Sequence, residues 1–190
     1  MGKIVEKIAD DLSLYLTRVN FLYRNQEITT ECIQNHKGIS FLGYSCGPFV
    51  EGNKYKLKFF IALPFIQNNI LRIVSSEKCN NVDVQRYAIS ERDDQKLIGR
   101  NETYFLNMVK EFRYFTESEV EGNQKPKIDL DRYNSYTTNI IDSRLLKLLR
   151  LSKSELSLDD EQRLTYSEKK LYQQLYTYIK AWRDFFLSKI

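Results

Sequence analysis

Toward the end of the chain, Leu171, Leu175, Tyr178, Ile179, Trp182, Phe186 and Ile190 recur every three or four residues. That spacing puts them on one face of a helix, with Lys169, Gln173, Gln174, Lys180 and Asp184 largely opposite. Thr165 and Glu168, three apart at its start, form a capping box in which each side chain satisfies a free backbone N–H. Neither Gly nor Pro interrupts the run. Its face carries more aromatic area than a small helix needs for its own core.

The same periodicity predicts further helices. Ile4, Ile8, Leu12, Tyr15, Val19 and Leu22 suit an N-terminal helix, although alternation over Val19–Tyr23 also suits a strand. Val84–Asp94 predicts one helix, and Phe105, Met108, Val109, Phe112 and Phe115 a second. Residues 117–127 then read as a loop. Tyr133, Tyr136, Ile140, Ile141, Leu145, Leu148 and Leu149 predict a long third helix, followed by a charged loop over 152–162.

Between these lies a different pattern. Ile28–Gln34, Ile39–Tyr44, Tyr55–Phe59 and Ile70–Val74 are β-prone, and Gly43, Gly47, Pro48 and Gly52 punctuate them as tight turns demand. Phe60–Asn68 predicts a short helix that tolerates Pro64 only in its first turn. The expected fold class is α+β: an N-terminal helical extension (1–26), a small β-rich domain (27–76) and an α-helical bundle domain (82–190).

Composition narrows the function classes. The chain has 190 residues, 28% of them charged and 42% hydrophobic, with a net charge of +4 shared as +3 before residue 80 and +1 after it. Dedicated nucleic-acid binders concentrate their charge far more. Cys32, Cys46 and Cys79 are an odd number with no Cys-x-x-Cys pair, which suits a reducing cytoplasm better than a disulfide framework. Cys32 and His36 would make only half a metal site. Charged residues break up the N-terminal apolar positions, so a signal peptide is not expected, and no apolar run approaches the ~20 residues of a membrane span.

Catalytic constellations are missing from the sequence. A single histidine cannot supply the common triads or metal sets, and there is no Walker-type loop or Gly-x-Gly-x-x-Gly. The pairs Asp10/Asp11, Asp93/Asp94 and Asp159/Asp160 sit in charged segments that suit hydrated surface. No enzyme activity, cofactor or metal is expected. Lys54, Lys56 and Lys58, interleaved with Tyr55, Phe59 and Phe60, offer an alternative: a nucleic-acid stacking platform. The competing reading makes them lysines that guard an edge strand. Arg144 and Lys147, in a basic stripe with Arg150 and Lys153, are candidate contacts to nucleic acid or to an acidic partner, unless they are simply a helix's solvent face.

The order of motifs resembles the GINS family. Gly47-Pro48-Phe49, then Leu57, Ile61-Ala62-Leu63 with Pro64, and Ile70-Leu71-Arg72-Ile73 resemble its small β domain. Phe59 or Phe60 holds the tryptophan position of that domain's helix, and Pro64 follows Ala62-Leu63 rather than preceding them. Ser143–Leu149 is similar to the family's R-x-x-K-L/I-L helix, and Leu164–Arg183 to its closing LT-x-x-E…W-R helix. Together these cover roughly residues 40–190. With the β module first, the chain resembles the permuted class, and its compact length looks archaeal.

The resemblance implies a non-enzymatic scaffold in DNA replication. It would sit in a tetramer with other GINS subunits and join the MCM helicase to a RecJ/Cdc-type partner. It admits primase or polymerase as further contacts, leaves direct DNA contact open, and involves no membrane. It places the protein in the cytoplasm near the nucleoid, or in a nucleus if eukaryotic. Tyr178, Trp182, Phe185 and Phe186, with Leu145 and Leu149, are the candidate subunit interface. Within the last helix, Leu171, Leu175, Ile179 and Trp182 are expected in the core, with Tyr178, Phe185 and Phe186 nearer a partner.

Overall fold

The computed structural model describes residues 2–41, 43–99 and 103–188, and its fold is α+β. In chain order it has α1 (Gly2–Arg24), β1 (Glu27–Cys32), β2 (Ile39–Phe41), β3 (Tyr44–Cys46), β4 (Lys54–Lys58), α2 (Phe59–Gln67) and β5 (Leu71–Ile73). A 3-10 turn (Ser75–Glu77) follows, then α3 (Asn81–Asp93), α4 (Phe105–Glu121), α5 (Lys127–Leu151), α6 (Leu158–Gln162) and α7 (Tyr166–Leu187). The chain divides into two compact units, one of residues 20–78 and one of the residues up to 19 with those from 79 onward. Helix α1 runs unbroken through Val19–Tyr23, so the strand alternative there is not adopted. Ile190 lies outside the described residues.

In the β-rich unit an antiparallel sheet has the order β4-β1-β5, and β2 and β3 form a separate hairpin. The expected strand Ile39–Tyr44 is therefore two short strands folded back at Gly43. Alternation on β1 buries Ile28, Thr30 and Cys32. Cys32 joins Phe49, Phe65 and Leu71 in the core, with Tyr55, Leu57 and Ile61 against it. Phe49 is held by reciprocal backbone hydrogen bonds with His36 (2.9 and 2.8 Å), and its ring meets Phe65 at 4.8 Å and Tyr55 at 5.0 Å, edge to face. Gly38, at φ +82°, and Gly47, at φ +109°, pass so closely that a Cβ on either would collide with backbone of the other's strand.

Pro64 corrects one expectation. Because α2 begins at Phe59, the proline lies in the second turn rather than the first. The helix ends soon after it, and the Pro64 carbonyl accepts from both the backbone N–H (3.1 Å) and the side-chain Nδ2 (2.8 Å) of Asn68. A helix this short has little ladder left for a proline to break.

In the helical unit α5 packs against α3, α4 and α7. The buried Tyr133 hydroxyl donates toward the carbonyls of Cys79 (3.3 Å) and Val109 (3.1 Å), pinning α5 to α4 and to the chain leading into α3. Asn80 with Asp83 caps α3, and Thr165 with Glu168 caps α7, both as reciprocal boxes. Helix α4 continues to Glu121, through half of the expected 117–127 loop. The charged loop after α5 carries the single turn α6.

Candidate assembly surface

Helix α5 buries charge and exposes hydrocarbon. Tyr133, Ile140 and Leu148 face the interior, and Arg144 lies on the same face, four residues from Ile140 and from Leu148. Arg144 is 1% exposed and Glu91 0% exposed, and Lys147 and Glu168 are buried beside them. The Arg144 guanidinium donates to both Glu168 carboxylate oxygens (2.5 and 2.8 Å), to Glu91 Oε2 (2.9 Å) and to the carbonyls of Ile98 (3.2 Å) and Arg163 (3.1 Å). Lys147 Nζ donates to Glu91 Oε1 (2.7 Å) and to the carbonyls of Glu91 (2.5 Å) and Lys96 (2.9 Å). Two cations therefore meet two carboxylates with all five guanidinium directions used, the condition under which buried charge is tolerated. Burial by itself disfavours the Arg144 charge. The hydrogen bonds and charges of Glu168 and Glu91 outweigh it and raise the guanidinium pKa above its ordinary value.

Arg144 and Lys147 are thus not surface contacts to nucleic acid or an acidic partner, contrary to the expectation from their spacing. Spacing by three does not distinguish a solvent face from a core face that carries its own counter-ions. The two helix motifs meet in this network. Arg144 and Lys147 come from Ser143–Leu149, while Glu168 is the capping-box acid of the Leu164-Thr165 stretch. Its Oε2 also accepts from Thr165 N–H (2.9 Å) and Oγ1 (2.8 Å).

Ile141, Leu145 and Leu149, each one residue on from a buried position of α5, are exposed, as is Leu146 on the far side. The first half of α7 is covered: Tyr172 is buried with Leu97, Leu148 and Leu164, and Leu171 and Tyr176 pack alongside. Tyr172 stacks on Tyr176 at 5.8 Å, and its hydroxyl donates to the Ser154 carbonyl at 2.6 Å. From Ala181 to Ser188 every residue is exposed. Tyr178 is 51% exposed, Trp182 65%, Phe185 76% and Phe186 65%. Phe186 holds Trp182 at 5.0 Å and Phe185 at 5.1 Å between ring centres. Trp182 is therefore not the core residue expected of it, because α7 outruns the residues that pack its first half. Leu171, Leu175 and Ile179 are half-buried, and Tyr172 takes the buried place instead. At about 200 Å² per aromatic side chain, these four rings leave on the order of 500 Å² uncovered. That is near the upper end for the largest patch on a typical monomer, and more than half of what one partner buries in a standard interface.

The stacking platform is not assembled. Lys54, Lys56 and Lys58 lie on the solvent face of β4, whereas Tyr55 and Leu57 turn to the core on the other. Phe59 is buried against Tyr23 (5.6 Å), and Phe60 sits exposed on α2. Period-2 alternation separates the lysines from the aromatics. Of the remaining motif residues, Phe49 is core, Leu63 is half-buried, and Gly47, Pro48 and Pro64 are exposed.

His36 Nδ1 accepts from Gly38 N–H (2.9 Å) and its ring lies edge-on to Phe65, while Cys32 Sγ donates to the Gln34 carbonyl. Among the described residues no group of three or more His, Cys, Asp or Glu is placed to hold a metal ion. A cavity of about 240 Å³ lies among Lys96, Leu97, Arg150, Leu151, Ser157 and Asp159. Asp159 is already paired with Arg163 (2.9 Å). Among the described residues no helix is long and apolar enough to cross a membrane. No protein-family model matches this chain, and no curated protein matches it as a relative.

Proposed function

We propose that this protein is a non-enzymatic subunit of a larger assembly, a GINS-type scaffold in DNA replication. The observation that carries the assembly half of this reading is the uncovered aromatic end of α7. A helix gains nothing from four exposed rings in water, and aromatic side chains dominate interface cores. The inverted face of α5 offers a second apolar surface. Support for the replication half comes from the ordered motifs, and from the meeting of the two helical ones in a shared buried network. On this reading the partners are homologous subunits, the MCM helicase and a RecJ/Cdc-type protein, in the compartment that holds the replicating DNA.

The test is the mass of the intact assembly, purified natively and analysed with any co-purifying chains. A multimer containing a homologous chain, or several copies of this one, supports the reading. A monomer both alone and mixed with replication partners overturns it.

A further inference from the structure

Strand β4 is an edge of its sheet, paired only with β1. Around it, Cys32 N–H donates to the Asn53 carbonyl (2.9 Å) and Phe59 N–H to the Gln26 carbonyl (2.9 Å). In an antiparallel ladder alternate residues spend their backbone groups on one neighbour. The odd-numbered residues of β4 therefore face β1, and the N–H and C=O groups of Lys54 and Lys56, with the N–H of Lys58, point to the open edge, whereas the Lys58 carbonyl, at the N-cap of α2, serves that helix. Among the described residues no other strand takes them. The other edge, β5, is only three residues long.

The side chains along the open edge have a definite chemistry. Glu27 on β1 is engaged by Lys56 (2.9 Å), and Glu31 by Arg72 (3.0 Å). Lys54 and Lys58 have no carboxylate partner among the described residues. On the core side Tyr55 and Leu57 stay half-buried, as apolar residues at an unextended edge do.

We infer that β4 is a docking strand for an extended, acidic segment of a partner protein, which adds to the sheet beside it. An added strand places alternate side chains ~5 Å from those of its neighbour. A segment alternating carboxylates with β-branched apolar residues would therefore set the carboxylates against Lys54, Lys56 and Lys58. It would lay the apolar residues over Tyr55 and Leu57. Backbone hydrogen bonds supply the binding and side-chain alternation the selectivity. This inference is independent of the GINS-type reading, since it concerns the β-rich unit and not the α7 surface.

The probe is a synthetic peptide alternating glutamate with valine, added to the intact protein and followed by amide hydrogen exchange. Protection should rise at Lys54, Lys56 and Lys58, while Tyr55 and Leu57, already bonded to β1, should change little. Binding should weaken as salt shortens the Debye length from ~10 Å at 0.1 M to ~3 Å at 1 M. Lys56→Pro removes an outward donor and no ladder bond, and should weaken binding about tenfold, as should N-methylating the peptide's matching edge. The N-methylated peptide decides the matter if the proline variant does not fold. Equal binding by that peptide, protection elsewhere, no binding at millimolar concentration, or tighter binding of a single-stranded oligonucleotide would each overturn the inference.

Discussion

Replacing Arg144 by methionine keeps the bulk of the side chain and removes all five hydrogen bonds of its guanidinium group. Glu91 would retain Lys147, and Glu168 would retain the Thr165 N–H and hydroxyl, so neither carboxylate is wholly abandoned. One buried positive charge is nevertheless lost opposite two buried negative ones. Breaking such a pair costs about 3–5 kcal/mol, and the surviving partners argue for the lower end. Against a total stability of about 5–15 kcal/mol that is a large fraction. With a urea m-value of about 1–3 kcal/mol per M, the midpoint should fall by about 1–3 M. Circular dichroism at the helix minimum is the suitable readout, because the single tryptophan, Trp182, is exposed and reports little of this core. Arg144→Met with Glu168→Met should recover part of the loss, since a matched apolar pair avoids the stranded charge. A midpoint shift below about 0.3 M for the single variant would refute the buried network and return Arg144 to the surface. The raised guanidinium pKa means this contribution is fully present below the ordinary arginine value and lost only as pH rises through the raised one, so ordinary pH changes do not mimic the mutation.

Three further outcomes are expected. Trp182→Asp with Phe186→Asp should change folding stability by less than about 0.5 kcal/mol, since both are exposed, but dissociate the assembly in sedimentation velocity. Gly38→Ala should destabilise the β-rich unit severely, because the new Cβ would run into the Cys46 carbonyl at a positive φ; a thermal melt unchanged from wild type would contradict this. Tyr172→Phe should lose about 1 kcal/mol with its bond to the Ser154 carbonyl. Burial raises the Tyr172 pKa, so the folded state holds that proton more tightly than the unfolded chain. Stability from this group is complete below the ordinary tyrosine value near pH ~10 and is lost as pH climbs through the raised one. An alkaline titration of stability should accordingly be flatter in the variant.

The Thr165/Glu168 capping box, the α7 helix, the order of β module before helices and the turn glycines were legible in the sequence, because each depends on neighbours within a few positions. The strand limits were less so. Ile39–Tyr44 reads as one strand, yet it folds into a hairpin at Gly43. Tyr133, Ile140 and Leu148 already mark the face on which Arg144 lies, a signal that its charge masks. Whether that charge meets solvent or a carboxylate is settled by Glu91 and Glu168, 53 and 24 residues away.

Local physics thus determined the helices, the strands and their caps, since hydrogen bonding and side-chain period act over one or two turns. Only the tertiary structure decided which face of α5 is inside and how far along α7 cover extends. Leu171 and Leu175 are half-buried and Trp182 is exposed, though all three follow the same periodicity, because burial requires packed neighbours, and beyond Ile179 the contact α7 keeps is a polar one, from Arg183 to the Lys153 carbonyl.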